Sequence, residues 1–185
     1  MRPVKPKELT RGPFTVAEAR RAGLSRWHLE GASWRRLAPG VYASAALRET
    51  PVIRLEAARL RLPTLAAFSG RTAAWLHGLD VSPCEPIEIN PRRVELDESE
   101  VVIRRGFRTT SLPRTLFDLS RKLSLVEAVV VTDMALHAGL IGRAELSDWI
   151  ERADGRAYVV RGAFLNLPNQ QQSRRWKHAF GCCWC

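Results

Sequence analysis

Seven side chains near the start of this sequence have the types and spacing to recognise a nucleic acid. Arg20 and Arg21 are adjacent, Arg26, Trp27 and His28 are consecutive, and Arg35 and Arg36 follow seven residues after His28. Guanidinium groups at this density neutralise duplex phosphates and release counterions. A guanidinium or an imidazole N–H placed at a groove also reads base edges. We therefore expect phosphate contacts from Arg20, Arg21, Arg35 and Arg36, and base readout from Arg26 with His28. Trp27 has two readings of equal standing: it packs on a sugar or a thymine methyl, or it plugs the core beneath the following hairpin.

The elements that must position these groups are legible in the stretch Phe14 to Tyr42. Thr15 and Glu18 have the spacing of a capping box, in which side chain and backbone at a helix start satisfy each other. Val16, Ala19 and Ala22 or Gly23 then share one face of a first helix. Gly23 suits the left-handed conformation that ends a helix, and Leu24 follows as a buried plug. Ser25 caps a second helix, expected from Arg26 to about Ser33. Trp34 to Tyr42 alternates around Pro39-Gly40, a hairpin signal. Two helices, a tight turn and a hairpin describe a winged helix-turn-helix, whose second helix meets the major groove. Residues 1–13 hold at most a short first helix around Pro6 to Thr10.

Charge supports this placement. The chain of 185 residues carries a formal net charge of +10. Residues 1–48 contain ten Lys/Arg and three Asp/Glu, residues 49–155 fourteen and sixteen, and residues 156–185 five and none. Positive charge thus concentrates where phosphates would use it, and high arginine content alone does not explain that, since the middle segment is arginine-rich yet acidic. The hydrophobic share of 45% is that of a globular chain. No stretch approaches the roughly twenty apolar residues of a membrane span. The opening residues MRPVKPKELT lack the apolar core of a signal peptide. Cys84 stands alone, and Cys182, Cys183 and Cys185 crowd the end, which is no disulfide framework; a cytoplasmic protein is expected.

Beyond a soft boundary at 43–52, a second domain is expected over 53–154. Ile53 to Leu62 has helical spacing and stops at Pro63. Leu65 to Leu79 reads as a helical pair interrupted at Ser69-Gly70, with Trp75 as a core anchor. Glu85–Asn90 and Glu100–Arg105 alternate as two strands. Pro113 opens a helix with Leu116, Phe117 and Leu119 inward and an Arg114–Asp118 pair. Ser124 and Glu127 form a second capping box, Gly139 ends that helix, and a last one over Leu140 to Ala153 turns Leu146, Trp149 and Ile150 inward. The fold class expected is α/β (α+β): a winged helix-turn-helix over 1–48, a small mixed α/β domain, and an irregular tail over 155–185.

Other chemistry is poorly provided for. A carboxylate nuclease needs an acid and a Glu-x-Lys or similar on a strand; Lys5, Lys7, Lys122 and Lys177 do not supply one. His178 with the three terminal cysteines lacks the spaced ligand pairs of a zinc site. Asp118 and Asp133 suit surface or capping roles. His77 and His137 sit near Gly-terminated helix ends, where the dipole favours histidine. No catalytic residue, no metal ligand and no cofactor is expected; the chain reads as a non-enzyme.

The stretch FTVAEARRAGLSRWHLEGASWRRLAPGVY resembles the winged helix of AbiEi-type antitoxins of type IV toxin–antitoxin systems. The motifs SGRTAAWLHGL, PIEIN, SLPRTLFDL and VVTDMALHAGLI are similar to the actinobacterial branch of that family. The resemblance covers about residues 12–154. It implies an autoregulator that binds repeats in its own promoter as double-stranded DNA. It also implies a second domain that opposes a nucleotidyltransferase-like toxin without necessarily touching it. Mapped onto this sequence, it puts DNA contact on Thr15, Ser25, Arg26, Trp27, His28, Arg35 and Arg36. An alternative is a toxin-binding module.

Many proteins of this layout continue into a domain resembling very-short-patch-repair endonucleases, which begins with a run like SPMETRLRxLLV. Here the composition changes near Arg156. Back-translation of Trp176 to Cys185, shifted by two nucleotides, permits METRLRMLLV, with the Glu, both internal Leu and the final Val forced. The tail accordingly reads as out-of-frame translation, and a further alternative is the targeting half of such an endonuclease fusion.

Overall fold

The computed structural model describes residues 6–90 and 96–152. The tail expected over 155–185 lies outside them. Two units divide the chain: the first runs to Ala66 and takes back Cys84–Ile87, and the second holds Ala67–Pro83 and resumes at Glu88.

In the first unit a 3-10 turn, Lys7–Thr10, precedes strand β1 (Phe14–Thr15), helices α1 (Val16–Arg21) and α2 (Arg26–Leu29), strands β2 (Trp34–Ala38) and β3 (Val41–Ser44), and helix α3 (Pro51–Arg59). The strands form an antiparallel sheet in the order β1-β3-β2. The first capping box forms: Glu18 N–H donates to Thr15 Oγ1 at 3.2 Å, and Thr15 N–H donates to Glu18 Oε2 at 2.7 Å. Gly23, at a φ of 80°, ends α1 and lets Leu24 turn inward. Leu24 joins Leu9, Phe14, Ala19, Leu29 and Trp34 in one apolar cluster, where Phe14 meets Trp34 edge-on at 5.1 Å. Gly40, at a φ of 76°, completes the Pro39-Gly40 turn, and the register shifts between Arg36 and Ala38.

Two expectations for this unit change. Helix α2 stops at Leu29 instead of continuing towards Ser33, because Glu30 and Gly31 donate back to the Arg26 and His28 carbonyls and close a single turn. The expected boundary near 48–53 is a loop inside the unit. Thr50 Oγ1 accepts the Ile53 N–H at 3.3 Å and starts α3 at Pro51. Helix α3 packs against β2, and its Leu55 and Ala57 are buried. A helix with an apolar stripe joins whatever core covers that stripe, and sequence alone did not say which.

The second unit contains strand β4 (Ala67–Phe68), helix α4 (Gly70–Leu76), strand β5 (Ile89–Asn90), a 3-10 turn Glu98–Glu100, strands β6 (Val101–Arg104) and β7 (Phe107–Thr110), and helices α5 (Leu112–Ser120), α6 (Leu125–His137) and α7 (Arg143–Arg152). Its sheet runs β5-β4-β7-β6, with β4 and β7 parallel and the other neighbours antiparallel. Leu116, Phe117 and Leu119 from α5, Val131 and Ala135 from α6, and Leu146 and Ile150 from α7 build the core, with Trp149 partly buried against it. The Ser124–Glu127 box forms, and Gly139 takes a φ of 65° after α6. The α/β class of the chain follows from these elements.

Here too some expectations give way. Residues 65–79 form a short strand and one helix, not a helical pair. Gly70, at a φ of 55°, starts that helix in the left-handed region that favours glycine, beside the Glu88 carboxylate, which accepts the Arg71 N–H at 3.2 Å and pairs with Lys122. Trp75 is only partly buried, with the Arg105 guanidinium 4.5 Å from its ring centroid. His77 is tied to β7 through its ring. Burial holds its pKa below the ordinary histidine value, and Nε2 donates to the Thr110 carbonyl at 2.7 Å. Strand β7 was not anticipated at all. Among the described residues no helix is long and apolar enough to cross a membrane.

Candidate nucleic-acid interface

The two capped helices of the first unit set where the candidate side chains stand. Arg20, Arg21, Arg26, Trp27 and Arg36 are exposed. The side chain of Arg26 is 84% exposed and lies 3.4 Å from Glu30 one turn on. An exposed i,i+4 pair contributes little, so a phosphate or base can displace Glu30. Trp27 is 77% exposed, which excludes the core-plug reading. Leu29 and Trp34 fill the core instead, and the Trp27 ring meets His28 edge-on at 5.6 Å.

The two hydroxyl residues are occupied by their own helices. Thr15 Oγ1 donates to Glu18 Oε2 at 2.8 Å while accepting the Glu18 N–H. Ser25 lies within 2.8 Å of His28 Nδ1 through its Oγ, and its N–H donates to the same nitrogen at 3.0 Å. His28 therefore stands where a capping box usually has Glu or Gln. The spacing Ser25-x-x-His28 was visible in the sequence, but imidazole is not the residue type one looks for there.

Arg35 is not available as expected. Its Nη2 donates to the Leu47 carbonyl at 2.9 Å and lies 3.7 Å from Glu49, and its Nε is buried without a partner. Successive side chains on a strand point to opposite faces, so Arg35 and Arg36 cannot both face one duplex. Arg36 stays outward, with Nε donating to the Ala38 carbonyl at 3.4 Å. The two arginines should therefore separate by experiment. Arg36→Ala is expected to lower the salt slope of DNA binding by about one, at unchanged melting temperature. Arg35→Ala is expected to lose about 1–2 kcal/mol of stability, since it removes a charged donor from a backbone carbonyl. Titrations at several salt concentrations and thermal melts check both.

The cap on α1 makes the scaffold acid-sensitive. The Thr15 backbone N–H, then its hydroxyl, holds the Glu18 carboxyl below its ordinary value of 4.5. A depressed folded-state pKa stabilises above the unfolded value and loses that contribution as pH falls through the folded one. Backbone amide exchange at the start of α1 should therefore accelerate as pH drops below 4.5, after correction for intrinsic rates, and Glu18→Gln should remove most of that dependence.

Several acidic groups of the second unit are engaged in pairs and caps. Asp118 pairs with Arg114 at 3.0 Å, and Arg114 also reaches Glu100 at 2.8 Å. Burial raises the Asp118 pKa despite Arg114, which is already shared between two carboxylates. No bond or ion pair joins Asp118 to Asp133. Among the described residues no group of three or more His, Cys, Asp or Glu is placed to hold a metal. No family model, no curated protein and no solved structure matches the chain.

Proposed function

We propose that the first unit is a winged helix-turn-helix that binds double-stranded DNA in a sequence-specific manner. The observation that carries the reading is the exposure of Trp27 beside Arg26, while Phe14, Trp34 and Tyr42 of the same unit pack inward. An aromatic ring held outward among cations is the pairing that nucleic-acid surfaces use: charge for the backbone, a π-face or apolar edge for the base or sugar. Arg20, Arg21 and Arg36 supply phosphate contacts, Arg26 and His28 base readout, and Thr15 and Ser25 the helix starts that aim them. The motifs of both units support extending the reading to an antitoxin-like autoregulator. It represses its own promoter repeats in the cytoplasm and opposes a nucleotidyltransferase-like toxin indirectly, with no catalysis, metal or cofactor of its own.

The test is an electrophoretic mobility shift of the full chain on the DNA upstream of its gene, against an unrelated duplex of equal length. Retardation of the upstream fragment at lower protein concentration is expected. Equal retardation of both fragments counts against sequence-specific regulation, and none of either counts against DNA binding.

A further inference from the structure

Strand β6 is the outer strand of the second sheet, with β7 on one side of it and no strand on the other among the described residues. Which backbone groups face the open side follows from the hairpin. Arg105, at a φ of 51°, and Gly106, at a φ of 81°, both lie in the left-handed region, as the two central residues of a type I′ turn must. The pair that closes such a turn, Arg104 with Phe107, is hydrogen-bonded, and bonded pairs then alternate along the ladder. Arg104 and Val102 therefore direct their backbone groups to β7. Glu100 keeps the same phase, since its carbonyl accepts the Ser111 N–H at 2.7 Å. Val101 and Ile103 direct theirs to the open side. The Val101 N–H is held by the Glu98 carbonyl, which leaves the Val101 carbonyl and both backbone groups of Ile103 for a further strand.

The side chains say what that strand is. Ile103 is 65% exposed. Acids precede the apolar run Val101-Val102-Ile103 and bases follow it: Glu98 and Glu100 before, Arg104 and Arg105 after. Arg104 is exposed and forms no ion pair among the described residues. A segment ordered acid, apolar, base is its own complement when one copy is reversed against another. We propose that β6 pairs antiparallel with β6 of a second copy of this chain, about a two-fold axis at Val102. In this register the Ile103 N–H of each copy donates to the Val101 carbonyl of the other, and Ile103 covers Val101 across the axis. Val102 meets its own counterpart in a non-bonded pair, where side chains come closest. Glu100, 22% exposed beside Arg114, comes opposite Arg104 of the second copy. A parallel arrangement sets acid against acid and base against base. The edge is short and the interface small, so monomer and dimer exchange as concentration changes.

Sedimentation equilibrium of the full chain, without DNA and with a reducing agent, tests this. The average mass should rise from 20.8 kDa towards twice that value as concentration increases. Arg104→Glu should weaken the association about tenfold, because the two-fold axis repeats each like-charge contact, while Arg104→Lys keeps the charge and should not. Thermal melts confirm that the variants are folded. The axis has a second signature, since only a residue lying on it meets itself. Under mild oxidation Val102→Cys should give a dimer in which mass spectrometry of the digest links position 102 to position 102, and Ile103→Cys should not link to itself. A mass fixed at 20.8 kDa, equal association in Arg104→Glu, an equal loss in Arg104→Lys, or self-linkage at 103 and not at 102 overturns the proposal. None of these outcomes bears on DNA binding by the first unit.

Discussion

Trp27→Ala is expected to weaken binding of the full chain to duplex DNA by about 10–100-fold, since aromatic contacts with nucleic acid are worth about 1–3 kcal/mol each. The melting temperature should not move. Trp27 is 77% exposed, so its truncation removes little buried surface and leaves the cluster around Phe14 and Trp34 intact. This pairing of effects separates the interface from the core. A large fall in melting temperature would mean that the ring is packed in solution. Unchanged affinity at unchanged stability would take Trp27 out of the interface. Fluorescence anisotropy with a labelled duplex, alongside thermal melts of both proteins, reads the two quantities.

The second large effect concerns the frame behind that surface. Leu55→Ala is expected to cost about 2–5 kcal/mol, the range for deleting a leucine side chain from a packed site. Leu55 is fully buried on α3, which packs against β2, the strand that carries Arg35 and Arg36. Hydrogen exchange of the β2 and β3 amides should accelerate, while exchange across α5 and α6 should not. The opposite pattern would place α3 in the second unit. A fragment ending near residue 50 omits part of its own core, so DNA-binding measurements belong on the full chain.

What could be read from the residues was mostly the punctuation of the fold. Thr15 with Glu18, Ser124 with Glu127, Pro113 and Pro39-Gly40 each act within a few residues, and each does in the structure what its chemistry predicts. The errors arose where distant partners decide. Strand β7 reads Phe-Arg-Thr-Thr, with no apolar alternation. Thr109 and Thr110 are nevertheless buried, because their hydroxyls bond the Phe68 carbonyl and Thr115 Oγ1. Strand β4 is two residues long, too short to show a period. At the candidate interface, the exposure of Arg26 and Trp27 agrees with their place at the start of a capped helix. The engagement of Arg35 by the Leu47 carbonyl and Glu49 depends on a loop whose course no local pattern gives. His28 Nδ1 is engaged by Ser25, a capping contact that imidazole at the third helical position does not announce in the sequence.

The central claim is that the exposed arginines of the first unit grip a duplex through its phosphates. Its most direct test is the salt dependence of binding by the full chain to the DNA upstream of its gene. With Arg20, Arg21, Arg26 and Arg36 each meeting a phosphate or the base edge beside one, the logarithm of affinity should fall against the logarithm of salt with a slope of about −3 to −4. The slope should become shallower by about one in Arg36→Ala and stay unchanged in Arg35→Ala. A slope near zero, or no binding at low salt, contradicts the account.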